Sequence, residues 1–252
     1  MDCINPDIVD RSVFVFAAHC DAGPGIWHTH RRAQLIHASE GVLTVHTERG
    51  TWVVPPQRGV WVLPKVAHKI AASKRFLLRT LYMEPEIMEL PPECCVVAVD
   101  RLVEELLVAA SVFGPDYGVE GPEARLIRVI LDRLPSLQVT PLHLPQPSDP
   151  RILRITHMLE ANPSDERNIE ELANAAGITG RTAARLFTKE TCLSFGQWRR
   201  QLRLLRALEL LGQGASVTRT AVEVGYQDVS SFIGVFTDAF GTTPARYFKH
   251  HG

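Results

Sequence analysis

The 252-residue chain has no stretch approaching the roughly 20 consecutive apolar residues that cross a bilayer, so a membrane-spanning helix is not expected. It also lacks a basic start. MDCINPDIVDRSVFVFAA has an apolar run too short for a secretory signal, and a cytoplasmic protein is expected. Excess charge is missing too: 27 Lys and Arg face 28 Asp and Glu, for a net charge of -1. Whole-chain attraction to a polyanion is thereby excluded, and any such partner must be met by a local patch. Cysteine is sparse and unpatterned. Cys3, Cys20, Cys94, Cys95 and Cys192 are odd in number and lack zinc spacing, and a bridge between the adjacent Cys94 and Cys95 would be strained. A disulfide framework is therefore not expected, and a reduced, intracellular chain fits.

What is present divides by periodicity. Up to about residue 99, short runs rich in β-branched and aromatic residues recur: SVFVFAA, AQLIHA, GVLTVHT, TWVVP, GVWVLP, AHKIAA and FLLRTLYM. Gly23-Pro24-Gly25, Glu40-Gly41, Arg49-Gly50, Pro55-Pro56 and Pro64 separate them, a pattern that predicts a sandwich or small barrel over 1–99. From Asp100 the period becomes helical. DRLVEELLVAASVF opens on an aspartate cap and GPEARLIRVILDRL follows, giving a helical extension over 100–139 that packs on the barrel or pairs across a dimer. TPLHLPQPSDP carries four prolines in residues 140–150 and reads as a semi-rigid linker. Residues 151–252 read as an all-α domain.

Two segments of that domain share a plan. NIEELANAAGIT leads into GRTAARLFTKET, and SVTRTAVEVGYQ leads into DVSSFIGVFTDAFG. Ala-x-x-x-Gly occurs at 173/177 and again at 221/225: a small residue where helices approach, then a glycine able to turn the chain. One such match is weak; two joined by a long helix predict a pair of helix-turn-helix units. Spacing buries Ala183, Leu186 and Phe187 in the first second-helix and leaves Arg181 and Arg185 outward, with Thr182 beside them. In the other, Phe232, Phe236 and Phe240 form the buried row, leaving Gln227, Asp228, Ser230, Ser231 and Gly234 outward. In the connecting SFGQWRRQLRLLRALELL, Trp198, Leu202, Leu205 and Leu208 face inward. Arg199, Arg200, Arg203 and Arg206 form a basic side, read as a solvated face or, between two such units, as a DNA-backbone contact through Arg199 and Arg200.

LANAAGITGRTAARLFTKETCLSFGQWRRQLRL and AVEVGYQDVSSFIGVFTDAFGTTPARYFK resemble the DNA-binding domain of AraC/XylS-family transcription regulators over about residues 150–250. The resemblance implies groove-reading roles for Arg181, Thr182 and Arg185, and contact positions at Val229, Ser230, Ser231 and Gly234. Val229 and Gly234 depart from the family, some of whose members carry long polar or basic side chains there. The second unit is accordingly expected to anchor the DNA backbone, with its reader about one helical turn, roughly 34 Å, from the first.

The remaining feature is WHTHRRAQL at 27–35. On a strand His28 and His30 share a face, and Gln34 joins them if no bulge intervenes. Residues 12–83 resemble the cupin-like sensor barrels that such regulators carry. Metal-binding cupins use His-x-His, then a glutamate, then a histidine after a proline. Here His28, His30 and, beyond Pro64, His68 match, while Gln34 stands in the glutamate's place. Three readings stay open: a zinc, nickel, copper or iron(II) site, a metal-free pocket hydrogen-bonding an organic effector, or a structural set. His37 and His46 read as rim residues, Trp52 and Trp61 as core or pocket wall, and His250 and His251 as terminal.

The expectation is an α+β two-domain chain with an N-terminal cupin-like barrel plus helices and a C-terminal all-α domain with two helix-turn-helix units. It is expected to act as a non-enzymatic, homodimeric transcription regulator answering a small molecule or metal, with double-stranded DNA and RNA polymerase as candidate partners. The alternative is a metal-dependent cupin enzyme tethered to nucleic acid. That alternative needs a general acid or base beside the metal, and the acidic groups near the motifs, Glu40 and Glu48, lie next to turn residues.

Overall fold

A computed structural model describes residues 4–140 and 142–248. Cys3, His250 and His251 lie outside the described residues. The chain forms two compact units, Met1–Glu48 with Trp52–His143, and Arg49–Thr51 with Leu144–Gly252.

The predicted strand runs of the first unit all form strands. They are β1 (Val13–Cys20), β2 (Ala33–Glu40), β3 (Leu43–Thr47), β4 (Gly50–Val54), β5 (Arg58–Val62), β6 (His68–Ala72) and β7 (Phe76–Met83). Three strands lie beyond the reading of the sequence: β8 (Cys95–Ala98), β9 (Val139–Thr140) and β10 (His143–Pro145). β9 and β10 arise in and beside the proline-dense segment read as a linker. Pro145 ends β10, an edge strand of its sheet, where its missing N–H leaves no ladder bond unmade.

The expected barrel is not closed. One sheet has the order β1-β7-β2-β5-β8-β9 and the other β10-β4-β3-β6, each with two open edges. The reason lies in residues 21–32, which run beside β6 without laddering to it. They touch it through two isolated bridges, Gly23 to Ala72 and His28 to His68. Pro24 has no N–H to give. Gly25 adopts φ +70°, and a Cβ there would collide with the Ile70 carbonyl oxygen. The segment thus approaches β6 too irregularly to continue the sheet, and His28-x-His30 lies outside any regular strand.

Alternation sorts the larger sheet into two faces. Val13, Val15, Ala33, Leu35, Leu81 and Met83 point to one side and are buried against α1 (Arg101–Phe113) and α2 (Pro122–Arg133). Those helices contribute Val103, Leu107, Ala110, Ile127 and Ile130, so they cover this sheet within the unit. Each Val, Leu, Ile or Met side chain among them contributes about 1.5–3 kcal/mol when taken fully from water. Trp61 joins that core, and Trp52 stacks on His143 with ring centroids 4.4 Å apart. His37, expected at a rim, is fully buried 3.8 Å from Glu104 of α1. Phe14, Gln34, Thr80 and Tyr82 project from the opposite face.

The second unit is helical: α3 (Pro150–Ala161), α4 (Ile169–Ala175), α5 (Gly180–Thr191), α6 (Phe195–Gly212), α7 (Val217–Glu223), α8 (Val229–Phe240) and α9 (Pro244–Tyr247). Side chains cap the starts of α3 to α8. Asn168 with Glu171 and Ser194 with Gln197 close full capping boxes on α4 and α6. Trp198, Leu202, Leu205 and Leu208 of α6 are buried as their spacing predicts.

Candidate functional site

The turns between α4 and α5 and between α7 and α8 repeat each other bond for bond. Gly177 and Gly225 take φ +78° and +84°. The Ile178 amide donates to Ala173 O at 2.9 Å, and the Tyr226 amide donates to Ala221 O at 2.9 Å. Ala173 and Ala221 are both completely buried, which lets the paired helices come close. At Gly225 the need for glycine is also steric, since a Cβ would meet Ser164 Cα at 2.8 Å. These are two copies of one helix-turn-helix frame.

The frame decides which side chains face outward. Ala183, Leu186 and Phe187 anchor α5, leaving Arg181 and Arg185 exposed. Thr182 is half-buried and takes a bond from the Thr179 hydroxyl at 3.0 Å. Phe232 and Phe236 anchor α8, with Phe240 packed edge-on to Phe236 at 4.4 Å between ring centroids, and Gln227, Ser230 and Ser231 are exposed. Two of these groups are engaged by neighbours: Ser231 Oγ donates to its cap Asp228 at 2.7 Å, and Gln227 Nε2 to Glu166 at 3.1 Å.

The arginine side of α6 is not one uniform face. Arg200 is exposed. Arg199 donates to Arg167 O at 2.8 Å and lies 4.7 Å over the Phe195 ring. Arg206 pairs with Glu209 at 2.7 Å. Arg203, read in the sequence as part of a free basic side, is half-buried and donates to the carbonyls of Pro163 (3.0 Å), Gly225 (3.0 Å) and Asp165 (3.3 Å). It ties the loop before α4 to the turn before α8.

In the first unit His28, His30 and His68 converge, with one ring nitrogen of each within 4.8 Å of the others. The bridge between His28 and His68 aligns the two segments, their amides exchanging bonds at 2.9 and 3.0 Å. Each Nδ1 faces a carbonyl two residues away: Ile26 O at 3.0 Å, Arg32 O at 2.8 Å and Val66 O at 2.9 Å. A carbonyl only accepts, so the neutral tautomer with the proton on Nδ1 satisfies each backbone partner and presents Nε2 as a lone pair. Metal-ligating histidines are oriented in this way. Burial, more than any partner, lowers the pKa of His30 and brings that of His68 from 6.5 to about 4. These two imidazoles are neutral at pH 7.

Gln34 completes the cluster. Strand pairing sets Tyr82 directly opposite it, with Thr80 two residues further along β7. Its Nε2 donates to Thr80 Oγ1 at 2.9 Å and to Tyr82 OH at 3.1 Å. Thr80 gives its own proton to Leu35 O at 3.1 Å, so its oxygen must accept from the amide. That orientation turns Gln34 Oε1 toward His30 Nε2 at 3.0 Å and His68 Nε2 at 3.1 Å. In that tautomer the lone pairs of Gln34, His30 and His68 face one another in a buried setting with the exposed His28 at its edge, an arrangement that a cation stabilises. Thr80 and Tyr82 were invisible as site residues in the sequence, because their role follows from strand register.

Paired helix-turn-helix units on one side and a ligand-type cluster on the other define an effector-responsive, DNA-binding transcription regulator. Residues 14–91 match the family model for an AraC-like ligand binding domain, and 172–250 match one for a helix-turn-helix domain. The chain is 36% identical over 244 residues to the HTH-type transcriptional regulator NimR of Escherichia coli K12, covering 96% of this chain and 89% of NimR. It is 32% identical over 131 residues to the HTH-type transcriptional regulator RipA of Corynebacterium glutamicum, covering 52% of this chain and 38% of RipA. The chain belongs to the AraC/XylS family of helix-turn-helix transcription regulators. These relatives are regulators, and the enzyme alternative is set aside. No helix among the described residues is long and apolar enough to cross a membrane.

Proposed function

We propose that this regulator reads operator DNA through Arg181 and Arg185 of α5, with Thr182 beside them. Ser230, Ser231 and Gln227 at α8 and Arg199 and Arg200 of α6 set the register on phosphates. Exposed guanidinium groups on a second helix suit guanine edges, whereas short hydroxyl side chains suit backbone oxygens. Arg200 is the more available of the two α6 arginines, because Arg199 already serves Arg167 O.

In the first unit, His28, His30 and His68 would hold a divalent transition-metal ion (zinc, nickel, copper or iron(II)) with Gln34 Oε1 as a further donor. The observation that carries this is the set of converging lone pairs: imidazoles already oriented by backbone carbonyls, and an amide oxygen turned into them by Thr80. A bound ion would supply a fixed positive charge, serving as the effector or as the point to which a small-molecule effector attaches. A second copy of the chain and RNA polymerase complete the partners of this reading. Exposed Leu102, Val112 and Val129 on α1 and α2 are the surface a second copy would use.

Metal analysis of purified full-length protein, followed by zinc and nickel titration after chelation, tests the site. One ion per chain, lost in a His28→Ala/His30→Ala double variant that still binds DNA, is the expected result. If the chelated wild type takes up no ion, the metal assignment fails and the organic-effector and structural readings are left.

A further inference from the structure

The second helix-turn-helix unit has one more residue between its turn glycine and its second helix than the first, so the outward positions of α5 and α8 are compared through their buried rows. α5 and α8 are each 12 residues long, and buried Ala183 and Phe187 of one correspond to buried Phe232 and Phe236 of the other. In that frame Arg181, Thr182 and Arg185 correspond to Ser230, Ser231 and Gly234. The longest outward arm of the first unit is matched by no side chain at all in the second.

Nothing inside the unit calls for that glycine. Gly234 lies mid-helix, is exposed, and is absent from the positive-φ glycines. A Cβ built on it meets no atom within 4 Å. Glycine in a helix interior is destabilising relative to alanine. The Ser230–Ser231–Gly234 face carries that cost with no internal contact to offset it.

We infer that Gly234 is a specificity-determining residue whose missing side chain lets the backbone of α8 seat directly against the duplex, while α5 stands off on its arginines. This rests on the reading of α8 as the second DNA head. Close approach is confined to the N-terminal half of α8, because Asp238, one turn beyond Gly234 and also exposed, would meet phosphates with a negative charge. The second head therefore contributes shape and depth rather than base-edge hydrogen bonds. The two half-sites are predicted to differ in kind: one read by sequence, the other by how closely its backbone can be approached.

The test uses Gly234→Ala and Gly234→Leu in the full chain, with a duplex selected by the wild type from a random pool as probe. Thermal midpoint and hydroxyl-radical footprint are recorded together. The expected outcome has opposite signs. The midpoint rises in Gly234→Ala, while affinity falls by at least about fivefold in Gly234→Leu, the low end for a lost specific contact. Protection fades at the distal segment and persists at the one held by α5. Two intact protected segments with unchanged affinity in both variants would overturn the inference and leave the two-head reading standing. A single protected segment in the wild type would overturn that reading, and the inference with it.

Discussion

The guanidinium of Arg203 donates to the carbonyl oxygen of Gly225 at 3.0 Å, joining the helix between the two helix-turn-helix units to the turn of the second. Its remaining bonds go to Pro163 and Asp165, and its plane lies 5.8 Å from the Tyr226 ring. Arg203→Ala would leave three carbonyls short of a donor. We expect a stability loss of about 1.5–3 kcal/mol by urea unfolding, the range for hydrogen bonds to a charged group. Arg200→Ala, at an exposed position on the same helix, is expected to stay within about 0.5 kcal/mol of the wild type. Equal unfolding midpoints for the two variants would refute a pinning role for Arg203.

DNA affinity should separate Arg185 from Arg200. Arg185→Ala is expected to cost about 1–3 kcal/mol on the selected duplex and to relax preference at one base position. Arg200→Ala should weaken binding evenly across sequences and flatten the salt dependence by about one unit of slope. Titrations of both variants at several salt concentrations check this, and an unchanged affinity for Arg185→Ala would count against base reading by α5.

Thr80 offers a test of the metal assignment that leaves the ligands themselves in place. Thr80→Val removes the hydroxyl that fixes the Gln34 amide, freeing it to turn its nitrogen toward the imidazoles. Zinc affinity should fall by about 10–100-fold, as for other groups that orient metal ligands. Gln34→Glu should act in the opposite direction by adding a carboxylate. Titration calorimetry on chelated protein distinguishes these outcomes from no change in either variant.

The depressed pKa of His68 sets a pH dependence for the metal-free protein. Burial lowers it to about 4 in the folded chain from the ordinary 6.5. Between those values the unfolded chain binds the extra proton and the folded chain does not, so stability rises with pH across this window. Acidification from pH 6.5 toward 4 should therefore destabilise the first unit, and His68→Gln should remove up to one proton's worth of that slope. Chemical unfolding at a series of pH values, with chelator present, reads it directly; an unaltered slope in His68→Gln would place the titrating group elsewhere.

Much of this architecture is legible in the residues. Alternation over β1, β2 and β7 names the helix-facing core, and the Ala173/Gly177 and Ala221/Gly225 pairs predict both turns. Barrel closure is not legible, because strand runs do not state which edges pair. Pro24 and the close approach of Gly25 to Ile70 decide that, through contacts distant in sequence. The donor cluster is half legible. His28, His30, Gln34 and His68 stand out by spacing, but Thr80 and Tyr82 enter only through the register of β2 on β7. Arg203 shows the same limit. Helical periodicity places it beside Arg199 and Arg200, yet its partners are three carbonyls that no pattern of charge announces.

The proposed binding mode holds one duplex with two heads of a single chain, the first of them reading bases with arginine. Its most direct test is the salt dependence of full-length protein binding to the selected duplex and to a scrambled one, repeated with an Arg181→Ala/Arg185→Ala double variant. A linear fall of log affinity with log salt is expected for both duplexes, with a preference for the selected one that the double variant loses. Binding indifferent to salt, or a sequence preference untouched by removing both arginines, would contradict it.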